Sequence, residues 1–197
     1  MSEARVVELG SGDSDWLLGA AGARPEVKFV GVELRGPAVT RARRRAADLP
    51  NLELIEGDGV TWLREHVPDR SLSELHVYHP QPYLDPAEAR FGMLSPAFFY
   101  DARRALQSSG TLIVQTDHPA YGRYLGALMS QCFQVTTLPG PWPDAPTGRT
   151  RREQHAMHKG LAVTRLFGPP REYAEARAEP RPWFDPDRPG QRRVRRR

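Results

Sequence analysis

Carboxylate side chains follow three successive apolar runs early in the sequence, at spacings that suit an adenosyl ligand. Glu8 lies in "RVVELG", directly before a turn that contains Gly10 and Gly12. Glu33 follows Gly12 by 21 residues, where a carboxylate is able to accept hydrogen bonds from both hydroxyls of a ribose. Asp58 ends the third run, "LELIEGD", and is expected near an adenine edge. Together these residues favour an adenosyl cofactor over a set of unrelated solvated side chains.

The sequence around the turn distinguishes between adenosyl ligands. A dinucleotide-binding turn prefers a third glycine for close helix packing, whereas this sequence continues as "GDSDW". A glutamate before the first glycine also suits a cationic ligand better than a pyrophosphate. S-adenosyl-L-methionine is cationic at its sulfur and its amino group, so it is the predicted cofactor. The residues predicted to bind it are Glu8, Gly10, Gly12, Glu33, Asp58 and Gln81.

Gln81 belongs to a stiff loop in the stretch "HVYHPQPYLDP", which spans residues 76–86. Pro80 and Pro82 bracket it, and proline fixes φ and removes a backbone donor. The loop is therefore predicted to hold Gln81 and Tyr83 still, with Gln81 as the candidate catalytic residue. An amide offers a base edge both a donor and an acceptor. The alternative is that Gln81 only caps the loop backbone in a degenerated site.

Several histidines lie near these positions, but their pattern does not predict a metal site. His79 and His118 adjoin strand ends, where a hydrogen-bonded structural role is expected for each. His155 and His158 are three residues apart, without a third ligand close in the sequence. No metal is predicted.

Apolar runs alternate with helical patterns along most of the chain. Strands are predicted at 5–10, 27–34, 52–58, 72–80 and 110–117, and helices at 15–23, 36–49, 59–67, 95–106 and 120–132. This alternation is typical of parallel β-α-β units, so the predicted fold class is α/β with a doubly wound, mostly parallel sheet. Segments 133–138 and 160–167 are expected to pair as an antiparallel edge. Ligands of such sheets bind beyond the carboxyl ends of the strands.

Length and charge set the predicted organisation. The 197 residues suffice for one sizeable core, and the net charge is +4. Residues 171–197 contain nine arginines and five acidic residues, so the whole excess lies there. We predict a single domain over 1–170 and a disordered basic tail over 171–197. No apolar run has the length of a membrane span, no secretory signal is recognised, and a single cysteine fits the cytoplasm.

From Val6 to Arg171 the sequence resembles the tRNA (guanine-N7) methyltransferase family. The matching stretches are "VVELGSGDSDWL", "FVGVEL", "NLELIEGDGVTWL", "VQTDHPAYGRYL" and "TRREQHAMHKGLAVTRLF". The resemblance implies a Rossmann-like, class I methyltransferase fold that depends on S-adenosyl-L-methionine. It also implies that Asp117, Thr150 and Glu153 help to hold the guanine.

The sequence departs from the family pattern after the fourth strand. The family carries a Phe-Pro-Asp-Pro-Trp motif, a lysine and a basic cluster, whereas this sequence has "YHPQPYLDPAEARFG". Gln81 replaces the motif aspartate, Asp85 falls on the substrate side about where the lysine stands, and Arg90 remains from the basic cluster. Ser14 replaces the third glycine of the turn. N7 of guanine has a lone pair and no proton to remove, so methyl transfer there requires alignment and not a general base.

The resemblance therefore implies transfer of a methyl group from S-adenosyl-L-methionine to N7 of a guanine in tRNA, with tRNA as partner. Because the motif that meets the nucleotide has diverged, one alternative is a methyltransferase that acts on a small molecule or another RNA. A second alternative is a non-catalytic binding protein that retains the fold. No DNA or membrane partner is expected, and the oligomeric state stays open.

Overall fold

The computed structural model describes residues 4–83, Glu88 and 91–174. The roles predicted for Asp85, Arg90 and the tail from residue 175 onward lie outside these residues. The strands are β1 Arg5–Leu9, β2 Lys28–Glu33, β3 Leu52–Glu56, β4 Leu72–Tyr78, β5 Leu106–Thr116, β6 Thr136–Thr137 and β7 Thr164–Gly168. The helices are α1 Asp15–Ala23, α2 Gly36–Arg45, α3 Gly59–His66, α4 Pro96–Ala105, α5 Pro119–Met129 and α6 Arg151–His158.

The strands form one seven-stranded sheet in the order β3-β2-β1-β4-β5-β7-β6. The strands β1 to β5 are mutually parallel, and β7 runs antiparallel to both β5 and β6. The predicted α/β class and the predicted antiparallel edge are therefore confirmed. The direction of strand progression reverses between β1 and β4, and ligands of doubly wound sheets bind in the crevice at this switch point.

Alternating side chains of the central strands build a core on each face of the sheet. Val6 of β1 packs in one cluster with Trp16 of α1, whereas the next residue, Val7, packs in the other with Phe98 of α4. Gly31 of β2 is required for close approach, because a Cβ there would lie 2.7 Å from Leu17 Cδ1. Helices therefore pack on both faces of the sheet, and this packing fixes the positions of the strand ends.

The helix boundaries follow local signals where these are strong. Ser95 caps α4 by accepting a 3.3 Å hydrogen bond from Phe98 N, and Pro96 occupies the first turn, as predicted. Helix α2 ends at Arg45, earlier than the predicted 36–49. Pro50 disfavours helical geometry at Leu49, the last residue of the predicted helix, and residues 46–48 form a turn.

The described chain continues past β7. The backbone N–H of Arg171 donates to Cys132 O at 2.8 Å, and Ala174 packs against the core. No helix in the described parts of the chain is both long enough and apolar enough to cross a bilayer.

Candidate cofactor and acceptor site

The glycine turn after β1 adopts a backbone that explains its composition. Gly10 and Gly12 have φ values of 71° and 57°, in the left-handed region that side chains disfavour. Ser14, where the family has a third glycine, also has a positive φ of 55°. Its hydroxyl lies 3.1 Å from that of Ser11, and it precedes α1. The positive φ values therefore account for the two glycines of this turn.

Glu33 is fixed at the end of β2 by this turn. Its Oε2 accepts a 2.9 Å hydrogen bond from Gly12 N, and its Oε1 accepts from both N and Nε of Arg35 at 3.0 Å. The residue is 7% exposed. Because the Arg35 side chain is mostly exposed, it is the partner that a ribose hydroxyl would replace at the lowest cost.

Asp58 lies at the end of the next strand and begins α3. Its Oδ1 accepts from Thr61 N at 2.8 Å, which makes it the N-cap of that helix. Asp58 and Glu33 line a cavity of about 510 Å³, and Gln81 and Met93 also line it. The predicted ribose-side and adenine-side acids are therefore brought together.

Glu8 lines a second cavity, of about 280 Å³, which shares Gly10 with the first. Among the described residues, Glu8 Oε2 is the one buried side-chain polar atom without a hydrogen-bond partner. Burial raises the pKa of Glu8 well above its usual value, and the negative charges of Glu33 and Asp15 raise it further. An unpartnered carboxyl group beside the turn fits a cationic ligand, whose charge would favour its ionised form.

Gln81 lies on the cofactor side of the crevice. It is exposed and lines the first cavity with Glu33 and Asp58. Tyr83, in the same loop, has its ring centroid 6.3 Å from that of Phe91. The predicted acceptor residues Asp117, Thr150 and Glu153 do not line this cavity; Thr150 lines the second one.

Asp117 follows β5 and is held by two neighbours. Arg152 Nε lies 3.1 and 3.0 Å from its two carboxylate oxygens, and His79 Nδ1 lies 3.2 Å from Oδ1. Partial burial favours a higher pKa for Asp117, but the hydrogen bonds from Arg152 and His79 outweigh this and lower it. Asp117 is thus ionised at neutral pH.

Thr150 and Glu153 form a variant of the capping box at the start of α6. Thr150 Oγ1 accepts from Glu153 N at 3.1 Å, and Glu153 Oε2 accepts from Arg149 N at 2.7 Å. Glu153 Oε1 also accepts from Arg165 Nε at 2.8 Å, and Glu153 is 0% exposed. A direct contact between Glu153 and a base would therefore require an existing partner to move.

Sequence reasoning did not identify the partners of these carboxylates. Arg165 lies 12 residues from Glu153, in β7, and no role was predicted for it although it lies in the matching stretch "TRREQHAMHKGLAVTRLF". Arg149 stacks over the Trp142 ring at 4.2 Å and donates to Tyr78 OH at 2.9 Å. These contacts hold the proline-rich loop, residues 139–149, against β4. The two histidines have the structural hydrogen bonds that were expected, since His79 contacts Asp117 and His118 caps α5. The described residues contain no cluster of metal-ligating side chains.

Comparisons with known proteins identify the family of the chain. A family model described as "Putative methyltransferase" matches residues 2–166. The chain is 30% identical to the tRNA (guanine-N(7)-)-methyltransferase of Aeromonas hydrophila, over 82% of this chain and 71% of that protein. It is 28% identical to the protein of the same name from Halorhodospira halophila, over 83% of this chain and 73% of that one.

Solved structures show the same fold. The 16S rRNA methyltransferase KamB aligns with a TM-score of 0.62 at 16% identity, over 86% of this chain and 88% of that one. A SAM-dependent methyltransferase from Aquifex aeolicus aligns with a TM-score of 0.58 at 10% identity, over 85% and 82% of the two chains. The sheet is therefore that of a Rossmann-like, class I methyltransferase.

Proposed function

The chain belongs to the tRNA (guanine-N7) methyltransferase family of S-adenosyl-L-methionine-dependent enzymes, and from this premise we propose that it methylates N7 of a guanine in tRNA. The observation that carries the cofactor part of the proposal is the buried, unpartnered Oε2 of Glu8, placed beside the glycine turn at the switch point of a methyltransferase sheet. The acceptor part is supported by the similarity to tRNA (guanine-N(7)-)-methyltransferases. A tRNA substrate also implies a cytoplasmic location.

The cofactor side of the crevice offers one carboxyl group each for the ribose, the adenine and the amino group of the ligand. Glu33 accepts from the ribose hydroxyls, Asp58 lies at the adenine side, and Glu8 accepts from the cationic amino group. The left-handed backbone of Gly10 and Gly12 leaves room for this approach. S-adenosyl-L-methionine supplies an electrophilic methyl group on a positively charged sulfur.

The residues of the acceptor side bind and orient the base. Guanine N7 is a lone pair that bears no proton, so these residues act by alignment and electrostatic fit. Gln81 holds the base edge through its amide, between Pro80 and Pro82, which limit its motion. Asp117, which is ionised, accepts from the N–H groups of the guanine. Thr150 and Glu153 fix the start of α6 beside it.

A positively charged surface for tRNA is needed in addition to the base pocket, because phosphate contacts supply much of the affinity of RNA-binding proteins. Residues 171–197 carry the net charge of +4, and the remaining residues are balanced. We therefore assign the electrostatic attraction to this terminal segment. Its residues from 175 onward, like Asp85, lie outside the described residues.

A second candidate function keeps the cofactor and changes the acceptor to a small molecule or another RNA. Two observations favour it: glutamine stands at position 81 where the family has aspartate, and Arg152 occupies both oxygens of Asp117. This candidate shares the cofactor-binding residues Glu8, Glu33 and Asp58, so it differs from the first only in the nature of the acceptor.

Two measurements test the proposed function in sequence. Calorimetric titration with S-adenosyl-L-homocysteine is expected to show one site per chain, and failure to bind would leave only a non-catalytic role for the fold. Transfer of a labelled methyl group to unmodified tRNA transcripts is then expected. Binding without transfer to tRNA would favour the second candidate.

A further inference from the structure

A buried chain of hydrogen bonds leads from the proline-rich loop to Asp117. Trp142 Nε1 lies 2.6 Å from Gln115 Oε1, and Gln115 Nε2 lies 2.9 Å from His79 Nε2. His79 Nδ1 lies 3.2 Å from Asp117 Oδ1. Gln115 is 0% exposed and Trp142 6%, while the His79 side chain is 4% exposed. Water therefore has little access to the interior members of the chain.

The chemistry of the first member fixes the direction of every bond. An indole N–H only donates, so Gln115 Oε1 accepts from Trp142 and the Gln115 amide nitrogen donates to His79 Nε2. His79 Nε2 is therefore the acceptor, and the proton lies on Nδ1, which donates to Asp117. Burial also lowers the pKa of His79, which keeps the ring neutral. With its lone pair engaged by Gln115, His79 is not a general base.

The backbone of His79 supports the same assignment. Its φ is +51°, a left-handed conformation that non-glycine residues rarely adopt. Its N–H donates to Gln115 O at 2.7 Å, so one residue of β5 holds both the main chain and the ring. Strained residues of this kind are concentrated at functional sites.

The two donors to Asp117 differ in mobility. The Arg152 side chain is 48% exposed, whereas that of His79 is 4% exposed and held at both ring nitrogens. An acceptor that approaches with N–H groups would displace Arg152 and leave His79 in place. Asp117 Oδ1 then stays anchored, and Oδ2 becomes free for the acceptor.

We propose that His79 is a positioning residue, held in its Nδ1–H tautomer by Gln115 and Trp142, that fixes Asp117 for an acceptor with N–H donors. Arg152 is the partner of Asp117 that this acceptor displaces. The identity of this acceptor as guanine rests on the proposed function. The tautomer of His79 and the anchoring of Asp117 do not depend on the proposed function.

The tautomer is tested by nitrogen-15 NMR of the histidine rings in the whole protein, with the His79→Asn variant to assign the signal. The expected result is a neutral ring at neutral pH with the proton on Nδ1. Gln115→Glu removes the donor to Nε2 and is expected to move the His79 signals to those of the doubly protonated ring. A wild-type ring protonated on Nε2 would overturn the proposal.

The positioning role is tested with two substitutions that suit a left-handed backbone. His79→Gly removes the side-chain donor, whereas His79→Asn retains an N–H donor, and both residues tolerate positive φ. Because a hydrogen bond to a charged group is lost, the KM for tRNA in the glycine variant is expected to rise about tenfold, with unchanged affinity for S-adenosyl-L-homocysteine. The asparagine variant is expected to recover most of this loss.

Two outcomes would contradict the positioning role. An unchanged KM in the glycine variant would show that His79 does not support acceptor binding. Equal losses in both variants, in proportion to their melting temperatures, would indicate a purely structural residue. If no tRNA is methylated at all, the proposed acceptor fails, and the tautomer measurement still decides the claim because it needs no substrate.

Discussion

On the cofactor side of the crevice Glu8 keeps a buried carboxyl oxygen without a partner, whereas on the acceptor side Glu153 and Asp117 are both paired with arginines. An unpaired buried polar group costs free energy and persists where a ligand compensates for it. The cofactor side therefore offers a carboxyl oxygen that a cationic ligand would pair with. The acceptor side is internally satisfied and must exchange at least one ion pair to bind a base.

The largest expected effect is a loss of stability at Glu153, the fully buried carboxylate of the acceptor side. Glu153→Ala leaves Arg165, 4% exposed, as an uncompensated buried charge, so unfolding free energy should fall by about 3–5 kcal/mol. Glu65→Ala, in a surface pair with Arg64, is the control and should cost less than about 1 kcal/mol. Urea unfolding measures both. A loss at Glu153 no larger than that at Glu65 would contradict a stabilising buried ion pair with Arg165.

Gln81 lines the cofactor cavity but is proposed to hold the acceptor base, so its removal separates cofactor binding from methyl transfer. Gln81→Ala should leave S-adenosyl-L-homocysteine affinity near wild type and reduce methyl transfer about 10²-fold, because the acceptor is misplaced. Gln134→Ala, at an exposed glutamine, is the matched control. Gln81→Asp restores the family residue, and we expect little or no gain from it. A large gain would show that the site only lacks its acid.

Glu33 tests whether the cofactor side is correctly assigned. Glu33→Ala removes hydrogen bonds between a carboxylate and the ribose hydroxyls, so affinity for S-adenosyl-L-homocysteine should fall at least about tenfold. Glu53→Ala, on the exposed side of β3 and lining a cavity with Lys28, is the control. Calorimetry compares the two variants. Unchanged affinity in a folded Glu33→Ala protein would remove Glu33 from the site.

The smallest expected effect is a pH dependence that comes from Glu8. Burial raises its pKa in the free protein, and below that raised pKa the carboxyl group must lose a proton before it pairs with a cationic amino group. Affinity for S-adenosyl-L-homocysteine should therefore rise with pH, by at most about tenfold per unit, until the raised pKa is passed. Glu8→Gln should give a flat profile over the same range. A flat wild-type profile would contradict the assignment.

The cofactor side was largely predictable from the sequence, and the reason is geometric. Parallel strands place their carboxyl ends at one edge, so residues that end successive strands, such as Glu33 and Asp58, meet without any knowledge of tertiary contacts. The glycine turn was predictable for the same reason, since its left-handed backbone leaves a signature in residue type.

The acceptor side was less predictable because its geometry depends on strand register and on distant partners. Gln115 reaches His79 since β4 and β5 pair with Tyr78 opposite Gln115, and no local pattern encodes that register. Helix α6 has few apolar residues, so its pattern did not predict a helix. The Thr150–Glu153 motif was assigned to the base by resemblance, whereas the structure shows it as a cap as well.

Mass spectrometry of nucleosides tests the central claim most directly. Undermodified tRNA is incubated with the protein and with S-adenosyl-L-methionine labelled in its methyl group, then digested to nucleosides. We expect the label in 7-methylguanosine, and we expect the amount of label to be about 10²-fold lower with the Gln81→Ala variant. Label in a different nucleoside, or unlabelled tRNA from a protein that binds S-adenosyl-L-homocysteine, would contradict it.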